Sequence, residues 1–273
     1  MNSRKVNIES RNEQFSAKIK SRITLEIPSK DNEFLSKTTY THGYNVLDLM
    51  DHCNPIDNLF LIFKGELPNA LENKILTKLS IFLMNQGPRN AASRAGANAG
   101  VGRTDVNHIL PIAVMGMSGN YGGSKEVENA MRFIKHNIDK DASRVAKQCL
   151  VDAPDDEEGD WIIAPGFGTD FRGQSPFLLD VKDRFIKDCP DEGHLAWCQK
   201  FIDNLPSDKN CGWRLASIVA GVLLDLGIPP RVGAGLFQIL ASPGALAHGV
   251  SFADKPITEI PFLKDEDYEI KPV

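Results

Sequence analysis

The sequence is short of cysteine chemistry: five cysteines in 273 residues, an odd number, with no CxxC pair. Neither a disulfide framework nor a Cys-based structural zinc is expected to hold the fold, and the thiols are expected to be free. A basic excess is missing as well. Lys and Arg number 31 against 36 Asp and Glu, a formal net charge of −5, so nothing drives the counterion release on which nucleic-acid binding depends. Long apolar runs are also absent. Ile109–Met117, interrupted by Pro111, and Ile218–Leu224, closed by Asp225, are far shorter than the roughly 20 residues that span a bilayer, and no membrane span is expected. The first twenty residues mix Arg4, Lys5, Glu9, Arg11, Glu13 and Lys18 without an apolar run; they do not read as a secretory signal, and the expected location is cytoplasmic. Gly166-Phe167-Gly168 lacks the third glycine of a dinucleotide fingerprint, and no P-loop Lys-Ser/Thr is present. The acidic run Asp152–Asp160 lacks the oxygen spacing and closing Glu of a calcium loop. It reads as a solvated charged loop, and no metal site is expected.

With 42% hydrophobic residues, the chain has material for a core, and its periodicity is helical. Val46–Leu49 and Ile56–Phe63 are spaced for helices, and Gly65 and Pro68 break the second. Asn69 is placed to cap a helix over 70–85 whose apolar face is Leu71, Ile75, Leu79 and Phe82. Residues 91–102 are mostly Ala, Gly, Ser and Asn, which permits close helix approach or backbone contact with a ligand. Ser124 is expected to cap a helix over 126–138. Trp213–Leu226 is apolar almost all round, the mark of a central helix. Two further helices, 232–240 and 243–250, complete the core. Strand character is confined to Ser21–Ile27, where Ile23, Leu25 and Ile27 alternate with polar residues. The organisation expected is an N-terminal arm over 1–36, a large helical domain over 37–163 and 203–273, and a small domain over 164–202.

Five segments stand in a recognisable order: Tyr40-Thr41-His42-Gly43-Tyr44-Asn45-Val46, Phe63-Lys64-Gly65-Glu66-Leu67-Pro68, Gly119-Asn120-Tyr121-Gly122-Gly123, Pro165-Gly166-Phe167-Gly168 and Ala245-Leu246-Ala247-His248. In order and spacing they resemble successive landmarks of citrate synthases. The chain length is similar to that of the short citryl-CoA lyases and the lyase module of ATP citrate lyase. The resemblance covers roughly residues 34–252. It implies a mainly α, citrate synthase-like helical fold and a homodimer built on packed helices. The implied ligands are an acyl-CoA thioester and a small oxo acid, with no permanently bound cofactor.

Such enzymes make or break a carbon–carbon bond next to a thioester, which needs a base, a donor for the enolate oxygen and a group polarising the ketone. The family supplies an Asp and two His, and the resemblance places substitutes at all three positions. Tyr121 stands where a His opens His-Gly-Gly, Thr169 where a His follows Gly-Phe-Gly, and Cys211 where the Asp precedes the apolar helix; Asp208 is an alternative base. Ser242 stands where an Arg binds carboxylate. Ordinary citrate chemistry therefore does not carry over. A hydrogen-bonding role remains open to Tyr121 and Thr169. Cys211 is either a thiolate, if a helix N-terminus lowers its pKa, or a small buried hydrophobe. Arg172 resembles a basic residue near CoA phosphates or the substrate carboxylate; otherwise it is a surface Arg paired with Asp170 or Asp180. Asp170, His42 and His248 are further candidates for substrate contact, the histidines having structural alternatives, and Gly166, Phe167 and Gly168 are candidates for the CoA. Two functions follow: a divergent carbon–carbon condensation or cleavage on an acyl-CoA, or a catalytically silent homologue acting as an acyl-CoA sensor or interaction partner.

Overall fold

Asparagine starts the helices of the first third of the chain. Asn45, Asn54, Asn69 and Asn90 each stand in extended backbone and accept N–H bonds from the first turn that follows, a cap worth about 1 kcal/mol. The computed structural model describes residues 21–154, 160–261 and 263–271. The chain divides into two units, 1–67 and 68–273. Residues 1–20 of the expected arm and 155–159 of the acidic run lie outside the described residues.

In the first unit, β1 (Thr24–Pro28) pairs antiparallel with β2 (Ser36–Thr41), with Thr24 opposite Thr41 and Ile27 opposite Thr38. A turn at His42-Gly43, with φ of 47° and 89°, returns the chain as β3 (Tyr44–Asn45). The strand expected at 21–27 is thus the edge of a small sheet. Helices α1 (Val46–His52) and α2 (Pro55–Lys64) follow, and α2 ends on Gly65 in the left-handed conformation, as the Gly-Pro signal predicts.

The second unit is helical: α3 (Ala70–Met84), α4 (Ala91–Val101), α5 (Val106–Gly116), α6 (Ser124–Asn137), α7 (Ala142–Asp152), α8 (Pro176–Ile186), α9 (His194–Ile202), α10 (Leu215–Asp225) and α11 (Pro230–Ser251). The buried face of α3 is Ile75, Leu76, Leu79 and Leu83, while Leu71 is exposed. The face keeps the predicted Ile75 and Leu79 but is turned toward Leu76 and Leu83 and away from Leu71. Ser124 is the first helical residue of α6, not its cap; Gly123 holds that place with no side-chain bond. Helix α4 packs on α5 and α11, and α11 also meets α3, α5 and α6. The small residues of α4 serve this approach: a Cβ on Gly100 would run into the Gly249 carbonyl. Residues 230–251 form one helix, not two. Pro243 lacks the N–H that would bond Ile239 four residues back, and the Ser242 hydroxyl donates to that carbonyl instead, at 2.9 Å.

A second small sheet, β4 (Ile162–Ala164), β5 (Phe167–Gly168) and β6 (Gly212–Trp213), runs in that order, antiparallel throughout. It leads directly into α10, which is buried over Ala216–Leu224. Gly166 turns β4 into β5 at φ 84°, with Ala130 and Ser217 against the place of a Cβ, so only glycine fits. No single helix among the described residues is long and apolar enough to cross a membrane; α10 and α11 are bent by 118° from one another.

Candidate active site

Two chain ends meet beside this sheet: the N-terminal turn of α6 and the strand-to-helix step from β6 into α10. Arg214 occupies that step, 2% exposed, and a buried guanidinium requires partners for its charge and its N–H groups. Its Nε donates to Glu126 Oε1 at 2.9 Å, Nη1 donates to the Thr169 carbonyl at 2.6 Å, and Nη1 forms an ion pair with Asp170 Oδ1 at 2.7 Å. Glu126, in the first turn of α6, uses its other oxygen to accept the Gly122 N–H at 2.5 Å. The Tyr121 ring lies 5.1 Å from the guanidinium carbon, a cation–π contact. The Tyr121 hydroxyl donates to Asp160, which also accepts the Phe171 N–H.

These groups border a cleft of about 500 Å³, with Arg89, Phe171 and Gln174 also in its wall, a size suited to a small organic ligand. Arg89 is exposed and has no ion-pair partner among the described residues. Burial pushes the Asp170 carboxyl above the usual carboxylate range, against the pull of Arg214, with Glu126 and Asp160 adding to the rise. Partial burial and the hydrogen bond to Asp160 push the Tyr121 phenol up to about 12. At neutral pH the cleft therefore offers a protonated phenol, a carboxyl that holds its proton more tightly than most, and an unpaired guanidinium. Phe171 and Arg172 both have positive φ, 50° and 64°, backbone that costs non-glycine residues on the order of 1–3 kcal/mol each and is found where a site is over-determined by its surroundings. Among the described residues no group of three or more His, Cys, Asp or Glu is placed to hold a metal.

Of the residues singled out in the sequence, Tyr121 and Asp170 are in the cleft wall. Thr169 adjoins it only through its carbonyl; its hydroxyl oxygen accepts the Trp161 N–H at 2.8 Å, closing the β4–β5 hairpin. Cys211 is buried, its thiol 3.6 Å from the Pro206 carbonyl and not part of the cleft wall. Asp208 is exposed on a 3-10 turn, Ser207–Lys209. Arg172 is exposed beside the cleft, and its expected partner Asp170 pairs with Arg214 instead. His248 Nε2 is 3.2 Å from Asn85 Oδ1, and His42, in the first unit, is 3.2 Å from the Ile62 carbonyl. Gly166 borders a neighbouring hollow of about 420 Å³ that shares Tyr121 and Glu126, while Phe167 and Gly168 are buried in the sheet. Arg214, Glu126, Asp160 and Arg89 were not singled out. Their only sequence signals are a charge abutting the most apolar helix and an acid in the first turn after Gly-Gly.

No protein-family profile matches the chain, and no curated protein sequence matches it. Solved structures do. Citryl-CoA lyase from Hydrogenobacter thermophilus superposes with a TM-score of 0.75 at 22% identity, over 93% of this chain and 95% of that one. ATP citrate lyase from Methanothrix soehngenii, solved with citrate and coenzyme A, gives 0.70 at 11% identity, over 94% of this chain and 44% of that one. Citrate synthase from Thermotoga maritima gives 0.54 at 13% identity, over 97% and 98%. At identities of 22% and below the likeness shows the fold alone: the chain has the mainly helical fold of these structures.

Proposed function

We propose that this chain, on a citrate synthase-like fold, binds a CoA thioester and makes or breaks the carbon–carbon bond beside the thioester carbonyl, with catalytic groups of its own. The reading rests on one observation: the cleft at Arg214 gathers a carboxyl of raised pKa, a neutral phenol and an unpaired arginine within one hollow. The named neighbours are a citryl-CoA lyase, an ATP citrate lyase and a citrate synthase, and this supports the substrate class.

In the cleavage direction Asp170 takes the proton of a hydroxyl on the carbon β to the thioester carbonyl. The bond between the α and β carbons breaks, its electron pair passing to the α carbon as the thioester enolate, and the β carbon becomes the ketone of an oxo acid. The Tyr121 hydroxyl, turning from Asp160, donates its one proton to the enolate oxygen, and the proton on Asp170 returns to the α carbon. Condensation is the same path reversed. Arg214 does not bind substrate carboxylate, since Glu126 and Asp170 already answer its charge. It fixes Asp170, and Arg89 is left to meet the carboxylate of the oxo acid.

The test is thermal melting with acetyl-, propionyl- and longer acyl-CoAs, followed by turnover of the thioester that binds. A bound thioester raises the melting temperature by mass action. Tyr121→Phe should leave the fold intact and reduce turnover by about a hundredfold, in the range of a lost oxyanion donor. No thermal shift with any thioester would reject the proposal. A second reading, a silent acyl-CoA sensor, draws on the Thr169 hydroxyl and Cys211 thiol being turned toward backbone; binding without turnover of any thioester would favour it.

A further inference from the structure

A second hollow lies at the other end of α6. From Glu126 to His136 along the helix is roughly 15 Å at ~1.5 Å per residue, so it is separate from the Arg214 cleft. It measures about 750 Å³, and its wall includes Phe133, His136, Lys140, Asp141, Arg144 and Gln148. Positions 136, 140 and 144 step by four around the corner from α6 into α7, which gathers an imidazole, an ammonium and a guanidinium on one side. In a chain of net charge −5 that gathering runs against the average. No carboxylate pairs with any of the three among the described residues.

One carboxylate, Asp141, stands in the wall itself, and neither it nor Asp139 or Asp152 forms an ion pair with the three among the described residues. Asp141 caps α7, accepting the Ser143 hydroxyl at 2.6 Å and the Arg144 N–H at 2.9 Å. Asp152 accepts from the Gln148 amide at 2.9 Å. The corner is also held in shape before any ligand arrives. Trp197 Nε1 donates to the Lys140 carbonyl at 3.1 Å, Asn137 Oδ1 accepts from Lys140 Nζ at 2.9 Å, and Asn137 Nδ2 donates to the Phe133 carbonyl at 2.8 Å. The Phe133 ring is packed by Phe167, Trp197 and Phe201, with centroids 5.7 to 6.1 Å away. A fixed ring beside an ammonium, a guanidinium and an imidazole, in a hollow within the ~300–1,000 Å³ of small-molecule sites, is the chemistry that recognises a phosphate joined to a flat base.

We infer that the α6–α7 corner is a second ligand site, for a nucleotide: phosphate on Lys140, Arg144 and His136, base against Phe133. It goes beyond the thioester reaction and does not depend on it. The same chemistry is present in a free nucleotide and in the adenosine bisphosphate end of CoA, and the test separates them.

The probe is ADP, titrated calorimetrically into wild type, the Lys140→Gln/Arg144→Gln double variant, and Tyr121→Phe. Wild type and Tyr121→Phe should bind ADP alike. The double variant, whose changes are at exposed positions and whose folding is checked by circular dichroism, should bind about a hundredfold more weakly, for two lost charge-assisted contacts. Phe133→Leu should weaken ADP but not inorganic phosphate. CoA is then titrated into the double variant: a parallel loss assigns the site to the tail of CoA, and unchanged CoA affinity beside lost ADP binding assigns it to a separate nucleotide. Wild type that binds neither ADP nor CoA, or ADP and CoA affinities that both survive in the double variant, overturns the inference. Because Tyr121→Phe serves as the control, failure here is distinguishable from failure of the thioester proposal.

Discussion

Arg214 shows what a single buried charge commits a fold to. Its guanidinium is answered by Glu126 and Asp170, and Glu126 is itself only 6% exposed. Replacing Arg214 with Met strands the glutamate, and urea unfolding should register a loss of about 3–5 kcal/mol. Adding Glu126→Leu to Arg214→Met should restore part of that loss, a result additive effects do not give. Asp170 yields a pH prediction of opposite sign to the usual carboxylate. Its folded-state pKa is raised, mainly by burial, so the native protein holds that proton to higher pH than the unfolded chain does. Its contribution to stability is therefore present at low pH and falls as pH rises from about 4, the unfolded value, through the folded one. Asp170→Asn should flatten that fall in a series of melts. If Asp170 is the base, kcat/KM in the cleavage direction should rise with pH through the same raised value, and the limb should vanish in the variant. Tyr121 and Asp170 were legible because they stand at glycine-bounded turns within ordered motifs. Arg214 was not: a lone charge ahead of an apolar helix carries no periodic signal. Glu126 and Asp160, 34 positions from one another and 88 and 54 from Arg214, join the site only once the fold has brought them together.

At the level of elements the pattern of small residues decides what packs where. Gly100 of α4 abuts the Gly249 carbonyl of α11, whereas Gly235 of α11 has nothing within 4 Å of where a Cβ would lie. Gly100→Ala should therefore destabilise by about 1–3 kcal/mol through overpacking. Gly235→Ala, at a helical position free of strain, should stabilise by about 0.5–1 kcal/mol. The two changes are chemically identical, so opposite signs in denaturant melts would trace the difference to the α4–α11 contact alone. Most helices were legible from periodicity, and one of the four asparagine caps, Asn69, with them. The continuity of α11 was not, because Pro243 reads as a break until the Ser242 hydroxyl is seen to occupy the Ile239 carbonyl. The small sheet at β4–β6 was not legible as a sheet, since strands of two or three residues leave no alternation to detect.

For the whole molecule, the outstanding question is what covers the apolar side chains left on the second unit's long helices. Ile81 of α3 is 71% exposed and Met115 of α5 is 74% exposed, with Ile239 and Val250 of α11 also exposed. Helix α11 packs against both α3 and α5, so these side chains belong to neighbouring helices. Burial of apolar surface stabilises by about 25 cal/mol per Å², which favours covering such side chains by association. A homodimer joined through these helices is the arrangement proposed here. Sedimentation should give about twice the 30.1 kDa chain mass at micromolar concentration. Met115→Glu with Ile239→Glu should give the single-chain mass with an unchanged helical spectrum, since both side chains already face away from the core. A wild type that sediments as one chain at every concentration would rule the dimer out. Thioester binding retained by the dissociated variant would mean that one chain builds the whole site. Loss of that binding on dissociation would mean that the second copy completes the site.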